Sequence, residues 1–116
     1  RVARDDNYNG LAFDDQEGRR LAKSMQGKNI LMMANHGVLI GASSVARAYD
    51  EIYYLERTAA AQILAMSTGR PLKLIPEEVC KETARQMMSD NMHRFANDHF
   101  NALKRVLDRE QPDYKD

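Results

Sequence analysis

The sequence points to a small α/β fold, a short antiparallel β-hairpin accompanied by three main helices. Three observations lead there. Two short apolar runs, Ile30–Met33 and Val38-Leu39-Ile40, flank Asn35-His36-Gly37, and each is too short for a helix. Apolar residues then recur at every third or fourth position from Val45 to Met66. A second such stripe lies between Val79 and Leu107.

Taken in order, residues 1–13 are polar and irregular, with Asn7-Tyr8-Asn9-Gly10 as a turn signal, and no regular element is expected there. Asp14 starts a helix, because Asp14-Asp15-Gln16-Glu17 pairs an N-cap acid with a glutamate three residues on. Leu21, Ala22 and Met25 form its apolar stripe, and Gly27 is its expected C-cap. The hairpin follows. Gly37 adopts positive φ at little cost and Asn35 tolerates it, so the chain can reverse sharply around His36. Ser43 or Ser44 caps the long helix, whose stripe is Val45, Ala48, Tyr49, Ile52, Leu55, Ala59, Ile63 and Met66, and Gly69 and Pro71 stop it. After an extended stretch at 72–75, Pro76 opens the third helix, with Glu77 and Glu78 at the positive end of its dipole. Its inward face is Val79, Ala84, Met87, Met88, Phe95, His99, Leu103 and Leu107, and Pro112 marks its end.

Composition narrows the function. The 116 residues suit one small domain. Seventeen Lys and Arg balance 17 Asp and Glu, so no global field draws the chain to nucleic acid or an anionic membrane, and neither is expected as a partner. Cys80 stands alone, which precludes an internal disulfide and suits a reducing compartment. No run approaches the roughly 20 apolar residues of a membrane span. A cytoplasmic location is the expectation. The chain begins at Arg1, and its natural start is expected upstream.

Residues 31–41, followed by a capped helix carrying Ala48-Tyr49, Tyr54-Leu55-Glu56-Arg57 and Ala59-Ala60, resemble the class II aldolase and adducin head family. The early Tyr8-Asn9-Gly10-Leu11-Ala12 agrees with the adducin-like branch, as does the tail from Leu103-Lys104-Arg105-Val106-Leu107 to Pro112-Asp113-Tyr114. Together these features cover nearly the whole chain. The resemblance implies a three-layer α/β/α domain, in which an Asn-His-Gly turn supplies the third histidine of a zinc site. It also implies a His-x-His pair and a catalytic acid further upstream, and no His-x-His occurs here. Residues 1–116 are therefore expected to be the C-terminal portion of one such domain, with the N-terminal half absent.

His36 is then the expected metal ligand, with Asn35 and Gly37 shaping its turn, while the catalytic residues stay unassigned. The resemblance implies a zinc-dependent lyase acting on a small hydroxy-carbonyl or carboxylate substrate. Aldol cleavage, epimerisation and decarboxylation would share a metal-stabilised enediolate. It implies a homo-oligomer, commonly a tetramer. Catalytic zinc needs three protein ligands, so the isolated chain is expected to be metal-free and inactive.

Other readings stand beside this one. Taken alone, His36 reads as a polar residue in an exposed turn. His93 and His99 lie six apart and do not share a helix face; His99 is expected to pack with its ring partly satisfied, and His93 to be solvated. Met87, Met88 and Met92 read as adaptable filler. Tyr53, Tyr54 and Glu56 are explained by packing and surface position, and Tyr114 receives no role. An adducin-like scaffold keeps the fold without catalysis. A helical interaction module would use the stripes around Ile52 and Phe95.

Overall fold

Leu31 has no solvent exposure and fills the centre of a small core with Ala3 and Leu21, against which Met25, Met33 and Leu39 pack. This core belongs to the first of two units, residues 1–43, in a computed structural model that describes residues 1–7 and 9–115, the Asp90 side chain excepted. Strand β1 (Val2–Asp5), helix α1 (Asp15–Met25), β2 (Ile30–Met33) and β3 (Gly37–Ile40) form the unit. The sheet order is β1-β2-β3; β1 runs parallel to β2, and β2 is antiparallel to β3.

The hairpin is present as expected, with Met33 opposite Gly37 and a three-residue turn between them. Strand β1 corrects the expectation of an irregular connector at residues 1–13. Its burial alternates, with Ala3 and Asp5 inside and Val2 and Arg4 outside. The inner position at its end holds an aspartate, so the apolar alternation that announces a strand is missing. Tyr8, part of the expected turn and of the resemblance, lies outside the described residues.

Asp14 caps α1 as its sequence implies, its carboxylate accepting from the Glu17 N–H at 2.8 Å. The far end differs by one residue: Gln26 is the left-handed C-cap, φ 51°, and Gly27 follows at φ 72°.

The second unit begins at Ser44 and contains α2 (Val45–Ser67), α3 (Glu77–Met87), α4 (Asp90–Glu110) and a short 3-10 turn at Pro112–Lys115. Ser44 caps α2, its hydroxyl accepting from the Arg47 N–H at 3.2 Å. Pro76 is the N-cap of α3 rather than its first helical residue. The single long third helix is two helices. Met88 leaves helical geometry at φ −94°, ψ 2°, and Ser89 is extended as the N-cap of α4. Apolar periodicity runs straight across this break and conceals it.

Helices α2 and α4 pack on each other through only part of the stripe that the spacing selects in α2, Tyr49 resting its ring 5.8 Å from those of His99 and Phe100. Ala46, Arg47, Asp50 and Glu51 are its buried residues, while Val45, Ile52, Ile63 and Met66 are exposed. Arg47 is paired with Glu51 at 2.6 Å and donates to the Met87 carbonyl at 2.6 Å. Among the described residues of α4 the buried one is Ala96, whereas Phe95, Val106 and Leu107 are exposed. Val79 and Met88, also placed on the expected inward face, are exposed too. No helix among the described residues is long and apolar enough to cross a membrane.

Candidate functional site

His36 occupies the apex of the β2–β3 turn. Asn35 holds φ 58° and Gly37 holds φ 143°, both in the left-handed region that asparagine and glycine accept most readily. The His36 N–H donates to the Met33 carbonyl at 3.3 Å, and the Ala34 N–H donates to the Asp5 carbonyl at 2.9 Å. The turn is thus tied to its own hairpin and to β1. The bond to Asp5 continues the parallel pairing one step past the strand ends.

His36 is exposed and lies at a shallow hollow lined also by Asp5, Asn7, Glu17, Arg20 and Met33. The cavity measures about 10 Å³, room for about one water molecule. Its ionic groups are Asp5, Glu17 and Arg20. The Arg20 guanidinium meets Asp5 at 2.7 Å and grips Glu17 in a two-pronged contact, Nε to Oε2 at 2.8 Å and Nη2 to Oε1 at 2.7 Å. This contact holds both carboxyls below their ordinary range, in each case chiefly through the Arg20 hydrogen bond. Arg20 is in turn pushed well above its ordinary value, by Glu17 first and Asp5 second.

A zinc centre needs nitrogen, sulfur or oxygen donors converging on one point, three of them from protein at a catalytic site. Among the described residues no three His, Cys, Asp or Glu side chains group in this way. His36 fits such a centre in kind, as an imidazole on a fixed turn, but these residues do not complete one. The carboxylates in its hollow are engaged by Arg20. His99 is committed elsewhere, its Nδ1 2.9 Å from Asp50 Oδ1 and its ring 4.7 Å from that of Tyr53. His93 is exposed on α4, as expected. Tyr114 bonds Asp108 at 2.6 Å within its own tail.

Sequence reasoning missed the Asp5–Arg20–Glu17 cluster. Glu17 and Arg20 are three apart on a helix and pair by spacing alone, but Asp5 joins them only once β1 lies beside β2.

Comparison with known proteins agrees with the fold. The profile of the Class II Aldolase and Adducin N-terminal domain matches residues 2–63, from β1 through the hairpin into α2. A Caulobacter vibrioides protein, provisionally named an aldolase class 2 protein, is 31% identical over 110 residues, covering 95% of this chain and 43% of that protein. Decarboxylase NovR of Streptomyces niveus is 32% identical over 84 residues, 72% of this chain and 31% of that protein. The crystal structure of an aldolase II superfamily protein from Pseudomonas syringae superposes with a TM-score of 0.84 at 35% identity, over 100% of this chain and 46% of that one. The chain thus spans less than half the length of these relatives.

Proposed function

Because this chain belongs to the class II aldolase and adducin family, we propose that it forms the C-terminal portion of a zinc-dependent lyase domain and supplies His36 as the third histidine of the metal site. The observation that carries this reading is the backbone of the turn. Asn35 and Gly37 take the left-handed conformations that bring the chain round at His36, and hydrogen bonds to Met33 and Asp5 fix its base. The remaining ligands come from residues outside this chain.

A divalent cation, when bound, supplies the positive charge that stabilises a negative charge developing beside a substrate carbonyl. This chain's share is positional. His36 presents one imidazole nitrogen, Asn35 and Gly37 set its direction, and β1 and β2 keep the turn at the end of the sheet. The substrate is a small hydroxy-carbonyl or carboxylate compound. Aldol cleavage, epimerisation and decarboxylation all use the same electrophilic assistance, and the decarboxylase name of the Streptomyces relative supports including the last. Domain completion and homotetramer assembly are part of the same proposal, and the apolar surface exposed on α2 supports them. A second reading, an adducin-like scaffold without metal, draws support from an adducin-related protein of Schizosaccharomyces pombe, 38% identical over 66 residues covering 57% of this chain and 20% of that protein.

Metal analysis separates the two. The natural-length protein should carry zinc, and His36→Ala should lower its zinc content sharply while leaving the circular dichroism of the fold intact. Equal zinc content in both proteins contradicts the ligand assignment, and a folded natural-length protein with no affinity for zinc favours the scaffold.

A further inference from the structure

The Asp5 side chain is only 3% exposed, though it ends a strand beside an open hollow. A carboxylate in that position is costly unless a cation and hydrogen-bond donors meet it. Arg20 meets Oδ2 at 2.7 Å, and the Asn7 N–H donates to Oδ1 at 3.2 Å. The guanidinium is itself held by both oxygens of Glu17 and reaches the Asn7 carbonyl at 3.4 Å. The backbone carbonyl of this same Asp5 accepts from Ala34, two residues before His36. A continuous path of polar contacts therefore runs from α1 through Arg20 and Asp5 to the turn.

We infer that Arg20 is a positioning residue for His36: anchored on α1 by Glu17, it clamps Asp5, and Asp5 holds the first residue of the His36 turn. The inference deepens the metal-ligand reading and rests on it for its role in function, but the clamp itself can be read without any metal. Arginine suits the position because its planar fork engages two carboxylates at once, whereas a lysine ammonium is a point charge on a flexible stem.

The test uses the full chain and compares wild type, Arg20→Met and Arg20→Lys by nuclear magnetic resonance. Arg20→Met should speed hydrogen exchange of the Ala34 amide about tenfold or more, relative to amides within α4, as local opening becomes easier. It should also displace the His36 ring nitrogen resonances. Arg20→Lys should recover part of both effects. In the natural-length protein, Arg20→Met should weaken zinc binding by about 10- to 100-fold, the size typical of losing a group that orients a ligand. Wild-type Ala34 exchange and wild-type His36 resonances in a folded Arg20→Met chain would overturn the inference. If Arg20→Met does not fold, Glu17→Gln, which removes the anchor and leaves the Arg20–Asp5 pair, is measured in the same way, and an unchanged turn is again the overturning result. Should the turn respond while zinc affinity ignores His36→Ala, the clamp stands and the metal-ligand reading fails.

Discussion

Asp5 and Glu17 carry the chain's clearest acid sensitivity near the candidate site. Both carboxyls are held below their ordinary range by Arg20, against reference values of 3.8 and 4.5. A folded-state value lowered in this way contributes stability that is complete above the unfolded value and is lost as the pH falls through the folded one. Thermal melting of wild type should therefore change little from pH 7 to about 5 and decline below about 4.5. Other carboxyls share in that decline, notably Glu82, pushed down to about 2 by Arg85 and then Gln86. The comparison with Arg20→Met isolates the hollow: its melting temperature should fall less steeply over the same interval. Parallel curves down to pH 3 would show that Arg20 does not hold these carboxyls in solution. The same residues explain what was illegible beforehand. Asn35 and Gly37 declare a sharp turn by residue type, and the turn forms as they imply. Asp5 declares nothing, because an aspartate in a polar segment reads as surface until the guanidinium that offsets its burial comes from elsewhere in the chain.

Among the elements, the seam between α2 and α4 depends on Arg47. It is buried, pairs with buried Glu51, and donates to the Met87 carbonyl at the end of α3 and to Met92 at 3.5 Å in the first turn of α4. The last carbonyls of a helix lack partners within it and carry the negative end of the dipole, so a guanidinium satisfies both needs where α3 stops. Arg47→Met removes the cation and leaves Glu51 buried without it, which should cost about 3–5 kcal/mol. Urea unfolding followed by circular dichroism measures this, and a loss below about 1 kcal/mol would mean that the pair is exposed to water. Caps were the most readable feature here. Asp14 and Ser44 each accept from the N–H three residues on, as their spacing implies. The buried face of α2 was only partly readable: Tyr49 of the apolar stripe meets α4, but Arg47, Asp50 and Glu51 are polar residues buried in the seam, while Val45, Ile52, Ile63 and Met66 face out. The break at Ser89 was hidden because Met87, Met88 and Phe95 sustain a helical period across it.

The exposed stripes dominate the chain taken entire. Ile63 and Leu64 on α2 are 67% and 69% exposed, and Leu74 in the extended segment after it is 82% exposed. Soluble monomers rarely leave large contiguous apolar patches bare, and such patches mark interaction surfaces. The chain spans 43% of the Caulobacter relative and 46% of the Pseudomonas syringae structure. The proposed assembly predicts self-association: light scattering after size exclusion at micromolar concentration should give a mass above the 13.2 kDa of one chain. Ile63→Glu with Leu64→Glu should bring it toward that value. A monodisperse wild-type monomer would oppose assembly through α2. The family was legible from the Asn35-His36-Gly37 turn and its flanks, because that segment is continuous in sequence. The proposed three-histidine centre is not continuous, and one candidate ligand gives neither its partners nor its substrate.

Zinc K-edge X-ray absorption on the natural-length protein, beside its His36→Ala variant, counts imidazole ligands at the metal. The account predicts three in the wild type and one fewer in the variant. An identical imidazole count in the two would place the metal elsewhere and remove His36 from the site.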